Sequence, residues 1–217
     1  VSVEVKICGV TDGDAVDAAL QAGADYLGLV FFAKSPRAVT PEQAAEIMQF
    51  ADDVVKVGLF VDADDALLDE VLSHLRLDLL QFHGAESPAR VEQVRLDFGL
   101  PVMKVIPVSA AADLTAAEAF MDCADRLLFD AKPSAGATLP GGNAASFDWT
   151  ILKDFRCKLP WMLAGGLTPA NVAEAIRISG TNAVDVSSGV ESAPGVKDPA
   201  RIEAFIRAAK SGQGCRG

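Results

Sequence analysis

The chain is short of positive charge, cysteine and histidine. Its 217 residues carry 19 Lys and Arg against 30 Asp and Glu, giving a net charge of −11 and a pI near 4.6. Nucleic acid and anionic membrane surfaces would be repelled by such a surface, which argues against both as partners. A phosphorylated small molecule needs only a local site and is not excluded. The four cysteines (Cys8, Cys123, Cys157 and Cys215) are widely scattered with no C-x-x-C spacing, which predicts reduced thiols. With two histidines in the chain, a metal site would have to combine His83 with Asp62 and Asp130. His74 falls on a predicted helix, so the expectation is no metal. No apolar run approaches the ~20 residues of a membrane span, and Val1-Ser2-Val3-Glu4-Val5-Lys6 does not read as a charged head before an apolar signal core. No linker rich in Pro, Gly or Ser divides the chain. The expectation is one cytoplasmic domain over residues 1–217, as monomer or homodimer.

What the chain does contain is apolar residues in a regular rhythm. Half of it is hydrophobic and 23% is charged, enough to bury a core without disulfides or metal. Short β-branched runs alternate with longer Ala-rich amphipathic stretches. Strands are predicted at 4–8, 26–31, 55–61, 79–83, 102–108, 127–130, 161–164 and 183–187. Helices are predicted at 13–21, 41–51, 64–75, 88–98, 110–123, 147–155, 169–178 and 199–210. Thr40-Pro41, Thr168-Pro169 and Asp198-Pro199 read as caps followed by proline in the first turn, and Gly23, Gly99 and Gly180 as helix stops. Strict βα alternation implies a parallel sheet covered by helices. A closed (β/α)8 barrel and an open doubly wound sheet both fit; eight strands without an obvious pair of halves favour the barrel. The one long irregular segment, 132–146, follows the sixth strand, where a loop of that length is usually functional or mobile.

In a barrel the active site forms at the carboxyl ends of the strands, so the residues there are the candidates. Gly165-Gly166 and Ser187-Ser188-Gly189 end the seventh and eighth strands. Loops seven and eight of barrels commonly bind phosphate, and glycine lets backbone N–H groups approach it. Cys8 ends the first strand. It reads either as a small buried hydrophobe or as a base whose thiol Lys6 would help to ionise. Asp130 follows three apolar residues, a costly place for an unpartnered carboxylate. It reads as a general acid, or as the partner of Lys132 or a helix cap. Arg37, in the second loop, suits bidentate capture of a carboxylate. Asp185 shares parity with Ser187 and points into the barrel mouth or serves a buried hydrogen bond.

Together these residues resemble the phosphoribosylanthranilate isomerase family of tryptophan biosynthesis. The likeness runs through Lys6-Ile7-Cys8-Gly9, Ala24-Asp25-Tyr26-Leu27-Gly28-Leu29-Val30-Phe31, Ser35-Pro36-Arg37, Val57-Gly58-Leu59-Phe60-Val61 and Gln81-Phe82-His83-Gly84. It continues through Leu128-Phe129-Asp130, Phe147-Asp148-Trp149, Leu163-Ala164-Gly165-Gly166-Leu167 and Val184-Asp185-Val186-Ser187-Ser188-Gly189-Val190-Glu191. Each piece alone is weak; their order and spacing are specific. The resemblance implies a (β/α)8 barrel performing a cofactor-free Amadori rearrangement, with Asp130 as acid and Cys8 as base. It implies that Arg37 holds the anthranilate carboxylate, that Asp185 lies near the substrate, and that Gly166, Ser188 and Gly189 bind phosphate. One departure stands out. Where the family usually reads Gly-Gly-Thr-Gly-Lys, this chain reads Gly141-Gly142-Asn143-Ala144-Ala145. Two alanines replace a glycine and a basic residue, which implies a loop that closes differently or holds phosphate less strongly rather than a different reaction. Two other readings are a sugar-phosphate epimerase, which would need metal-binding histidines, and a non-catalytic phospholigand-binding barrel, which would need neither Cys8 nor Asp130.

Overall fold

The computed structural model describes residues 2–133, 141–142 and 146–211. Eight parallel strands close a barrel in chain order: β1 (Glu4–Cys8), β2 (Tyr26–Val30), β3 (Val55–Phe60), β4 (Leu79–Phe82), β5 (Val102–Val108), β6 (Arg126–Ala131), β7 (Trp161–Leu163) and β8 (Ala183–Val186). The register that pairs Val5 with Val184 and Lys6 with Asp185 closes the ring, which decides against an open sheet. Each strand lies within one residue of its predicted ends, because short apolar runs bounded by Gly, Asp and Pro are sharply delimited.

The helices are α1 (Gly13–Ala22), α2 (Pro41–Ile47), α3 (Asp65–His74), α4 (Pro88–Phe98), α5 (Val172–Ser179) and α6 (Pro199–Ser211). Thr40 and Gln43 form a full capping box on α2. Asp198 accepts from the Ala200 and Arg201 amides to cap α6, and Gly23, Gly99 and Gly180 end their helices in the left-handed region. Three segments depart from expectation. Ala111–Phe120 is a 3-10 helix; it buries Leu114, Ala117 and Phe120, a spacing of three that matches three residues per turn. Among the described residues between β6 and β7 only Trp149–Leu152 is helical, again as a 3-10 turn. And α5 starts at Val172, not after Thr168. The Asn171 side chain accepts from the Thr168 amide and donates to the Gly166 carbonyl, so this stretch is a turn that braces the seventh loop.

A hairpin that the sequence reading did not anticipate follows β8: β9 (Glu191–Ala193) and β10 (Val196–Lys197), antiparallel around Pro194-Gly195. The Pro-Gly dipeptide was its available signal. The main core lies between strands and helices. Inside the barrel, Tyr26, Val57, Leu79, Met103, Leu128 and Met162 form a second apolar cluster. The same inward parity carries Lys6, Cys8, Gln81, Asp130 and Asp185. The barrel therefore holds polar side chains in its interior, all buried.

Candidate active site

A cleft opens at the carboxyl ends of the strands, lined by apolar and polar side chains from several of them. All seven sequence-derived candidates line it: Cys8, Arg37, Asp130, Gly166, Asp185, Ser188 and Gly189.

Cys8 is buried at 4% exposure. It is paired in register with Gly28 of β2. A Cβ built on Gly28 falls 3.0 Å from the Cys8 Sγ and 3.1 Å from the Lys6 Nζ, so this glycine makes room for both. Lys6 is fully buried and donates to Asp185 Oδ1 at 2.9 Å. Burial pushes the Cys8 thiol above its ordinary range; the Lys6 ammonium pulls it back, and Asp185 pushes it up again. For Lys6 burial favours loss of the proton, but Asp185 and Cys8 together outweigh it and hold the ammonium charged. Asp185 thus fills both roles considered for it, inward-pointing and structural.

Asp130 is 8% exposed. Its Oδ1 accepts from the Ala131 amide at 2.8 Å. Its Oδ2 lies 3.3 Å from His83 Nε2. Lys132, the alternative partner, reaches instead to Asp113. A Cβ built on Gly141 would fall 2.5 Å from His83 Cε1 and 2.8 Å from Asp130 Oδ2, so backbone closes tightly over this pair. Asp62 does not join them; its Oδ1 accepts from the Ala85 amide at 2.7 Å. Among the described residues no three or more His, Cys, Asp or Glu are grouped to hold a metal.

Arg37 is buried and already holds one carboxylate. Its Nε and Nη2 donate to the two oxygens of Glu191 at 2.6 and 2.9 Å. Glu191 also takes Lys197 Nζ at 2.8 Å. Burial disfavours the Glu191 charge, but Arg37 and Lys197 outweigh it and hold the carboxyl below its usual range. The pair fixes the guanidinium plane, and Arg37 still lines the cleft. Glu191 and Lys197 belong to the unanticipated hairpin, so their part in the site was not read from the sequence. Nor was the Asp130–His83 contact, His83 having been weighed only as a metal ligand.

The seventh and eighth loops interlock. Gly165 and Gly166 have φ of 87° and 63°, and Lys197 Nζ donates to both the carbonyl and the hydroxyl of Ser187. A Cβ on Gly189 would collide with the Leu167 carbonyl oxygen. Gly189→Ala therefore forces the two loops apart. The expected outcome is a KM for a phosphorylated substrate raised by about tenfold or more, as expected for a lost charge-assisted hydrogen bond, with a smaller change in kcat. Steady-state kinetics check this; an unchanged KM would mean that these loops do not hold the phosphate. Cys123 and Cys157 are unpaired thiols away from the cleft. Asn143, Ala144 and Ala145, which carry the departure from the family pattern, and Cys215 lie outside the described residues.

Comparison with known proteins agrees with this geometry. The family model described as N-(5'-phosphoribosyl)anthranilate (PRA) isomerase matches residues 5–208. An N-(5'-phosphoribosyl)anthranilate isomerase from Paramagnetospirillum magneticum is 69% identical over 97% of this chain and 99% of its own. The crystal structure of phosphoribosyl anthranilate isomerase from Thermotoga maritima superposes with a TM-score of 0.86 at 34% identity, over 96% of this chain and 99% of that one. A crystal structure of a phosphoribosyl anthranilate isomerase in complex with reduced 1-(o-carboxyphenylamino)-1-deoxyribulose 5-phosphate superposes with a TM-score of 0.81 at 34% identity, over 96% of this chain and 99% of that one. The chain belongs to the phosphoribosylanthranilate isomerase family.

Proposed function

We propose that this chain isomerises N-(5-phosphoribosyl)anthranilate to 1-(2-carboxyphenylamino)-1-deoxyribulose 5-phosphate by general acid–base catalysis, with Asp130 as acid and Cys8 as base. The observation that carries the reading is that one cleft gathers a buried carboxyl group, a buried thiol beside a buried ammonium, a guanidinium and two glycine-containing loops. Each suits one part of this substrate. The loops at Gly166 and at Ser188-Gly189 take the phosphate, Arg37 takes the anthranilate carboxylate, and Asp185 holds Lys6 beside the thiol.

Asp130 Oδ2, facing His83, gives its proton to the ribose ring oxygen. The C1–O bond breaks as the anilino nitrogen lone pair forms a C=N bond, leaving an open-chain Schiff base. The Cys8 thiolate then removes the proton at C2, and the C–H electrons form a C1–C2 double bond while the C=N electrons return to nitrogen. The resulting enolamine takes a proton at C1, loses its O2 proton and becomes the aminoketone. No electron acceptor is required, so side chains and backbone suffice. Glu191 serves as the positioning partner of Arg37, and His83 as that of Asp130.

The reading extends to one barrel domain over residues 1–217, acting in the cytoplasm as monomer or homodimer on a phosphorylated small molecule. Nucleic acid and membrane are not partners. Supporting this are the pI near 4.6 and the lack, among the described residues, of any helix long and apolar enough to cross a membrane. The direct test is loss of anthranilate-type fluorescence from freshly prepared phosphoribosylanthranilate, with EDTA present. Rapid turnover by the wild-type chain is expected; a folded chain that leaves the substrate untouched would overturn the assignment.

A further inference from the structure

The buried polar side chains inside the barrel are nearly all paired. Lys6 has Asp185, and Asp130 has His83. Gln81 is the exception. It sits in the middle of β4 with Leu59 and Met103 as its register neighbours, is 0% exposed and lines the cleft. Neither its amide nitrogen nor its amide oxygen has a hydrogen-bond partner among the described residues. A buried amide with both ends unpaired destabilises the fold that carries it, and an apolar residue of similar shape would serve the strand better. A site built to hydrogen-bond a ligand has this signature, because the partner arrives with the ligand.

We propose that Gln81 is a substrate-binding residue that hydrogen-bonds a hydroxyl of the sugar chain, donating from Nε2 to the hydroxyl oxygen and accepting its proton at Oε1. The chemistry of the cleft narrows the choice. The phosphate and carboxylate of the substrate call for cations or backbone amides, which the Arg37 region and the seventh and eighth loops supply. A neutral group that both donates and accepts matches a hydroxyl, and the sugar carbons lie between those two anchors. Placed on the wall between Asp130 and Cys8, such a contact would hold the opened chain with C2 toward the thiol. The inference rests on the isomerase reading above.

The test uses Gln81→Met, which keeps length and volume but removes both polar atoms, with Gln81→Leu as a second variant. The probes are the reduced product analogue named above and versions of it lacking the C2 or the C3 hydroxyl, with dissociation constants measured calorimetrically. Expected is a thermal midpoint equal to or above wild type, together with affinity for the full analogue weakened by about tenfold. For one deoxy analogue the wild type and the variant should bind alike, as a double-mutant cycle demands. Unchanged affinity in both variants overturns the proposal, whatever the midpoint. So does a loss of affinity that is the same for the full and both deoxy analogues, since that marks a structural role. Wild-type turnover on the same preparation separates failure of this inference from failure of the isomerase assignment.

Discussion

Asp130→Asn is expected to leave the fold intact and to lower kcat by roughly 10²–10⁴-fold, the range that a positioned proton donor supplies, with a much smaller change in KM. Asparagine keeps the shape of the side chain. Its carbonyl oxygen can still accept from the Ala131 amide, the bond now made by Oδ1 at 2.8 Å. It has no acidic proton for the ribose ring oxygen. The substitution also replaces the carboxylate oxygen that faces His83 Nε2 at 3.3 Å. Steady-state rates from the fluorescence assay, with circular dichroism as the control for folding, check this. A variant within threefold of wild type would remove Asp130 from the reaction.

Cys8→Ser should cost a comparable roughly 10²–10⁴-fold in kcat, because a serine hydroxyl is a far weaker acid than a thiol and is not ionised by one buried ammonium. The thiol also fixes the pH profile. Burial raises its pKa, and Lys6 only partly offsets that. The thiolate is the active form, so a raised pKa makes it a minority at neutral pH. The rate therefore climbs as pH rises through neutrality and levels off only above the ordinary thiol range. Two variants shift this limb in opposite directions. Lys6→Met removes the cation that favours the thiolate and moves the limb to higher pH; Asp185→Asn removes a nearby anion and moves it to lower pH. Profiles of kcat/KM against pH for the three proteins measure this. A shift in the same direction for both variants, or a flat wild-type profile, would refute Cys8 as the base.

The strands were legible because each is a short, mostly apolar run with a clear stop, and the cleft was legible because barrel strands deliver their last residues to one end. Cys8, Asp130 and the glycines of loops seven and eight could be found on that basis. The side-chain partnerships could not. Glu191 and Arg37 are 154 positions apart, and Lys6 and Asp185 are 179 apart. No local pattern carries such pairs; the closing register of β1 on β8 creates the second, and the β9–β10 hairpin creates the first. The helix predicted at 110–123 forms over Ala111–Phe120, but its 3-10 type, which matches burial at every third residue, was not legible in the Ala-rich composition. Thr168-Pro169 was misread for a similar reason, since the Asn171 side chain spans the turn before any hydroxyl cap can form. Whether Asp130 pairs with Lys132 was open from sequence alone; Lys132 reaches Asp113 instead.

The central claim is a division of labour: Asp130 opens the ring and Cys8 removes the C2 proton. The most direct measurement is the deuterium isotope effect on kcat with substrate labelled at ribose C2, compared among wild type, Cys8→Ser and Asp130→Asn. If the claim holds, Cys8→Ser shows a larger isotope effect than wild type, because C–H cleavage becomes the slow step, and Asp130→Asn shows an effect near one, because ring opening becomes the slow step. The reverse pattern, an isotope-sensitive Asp130→Asn and an isotope-insensitive Cys8→Ser, would contradict it.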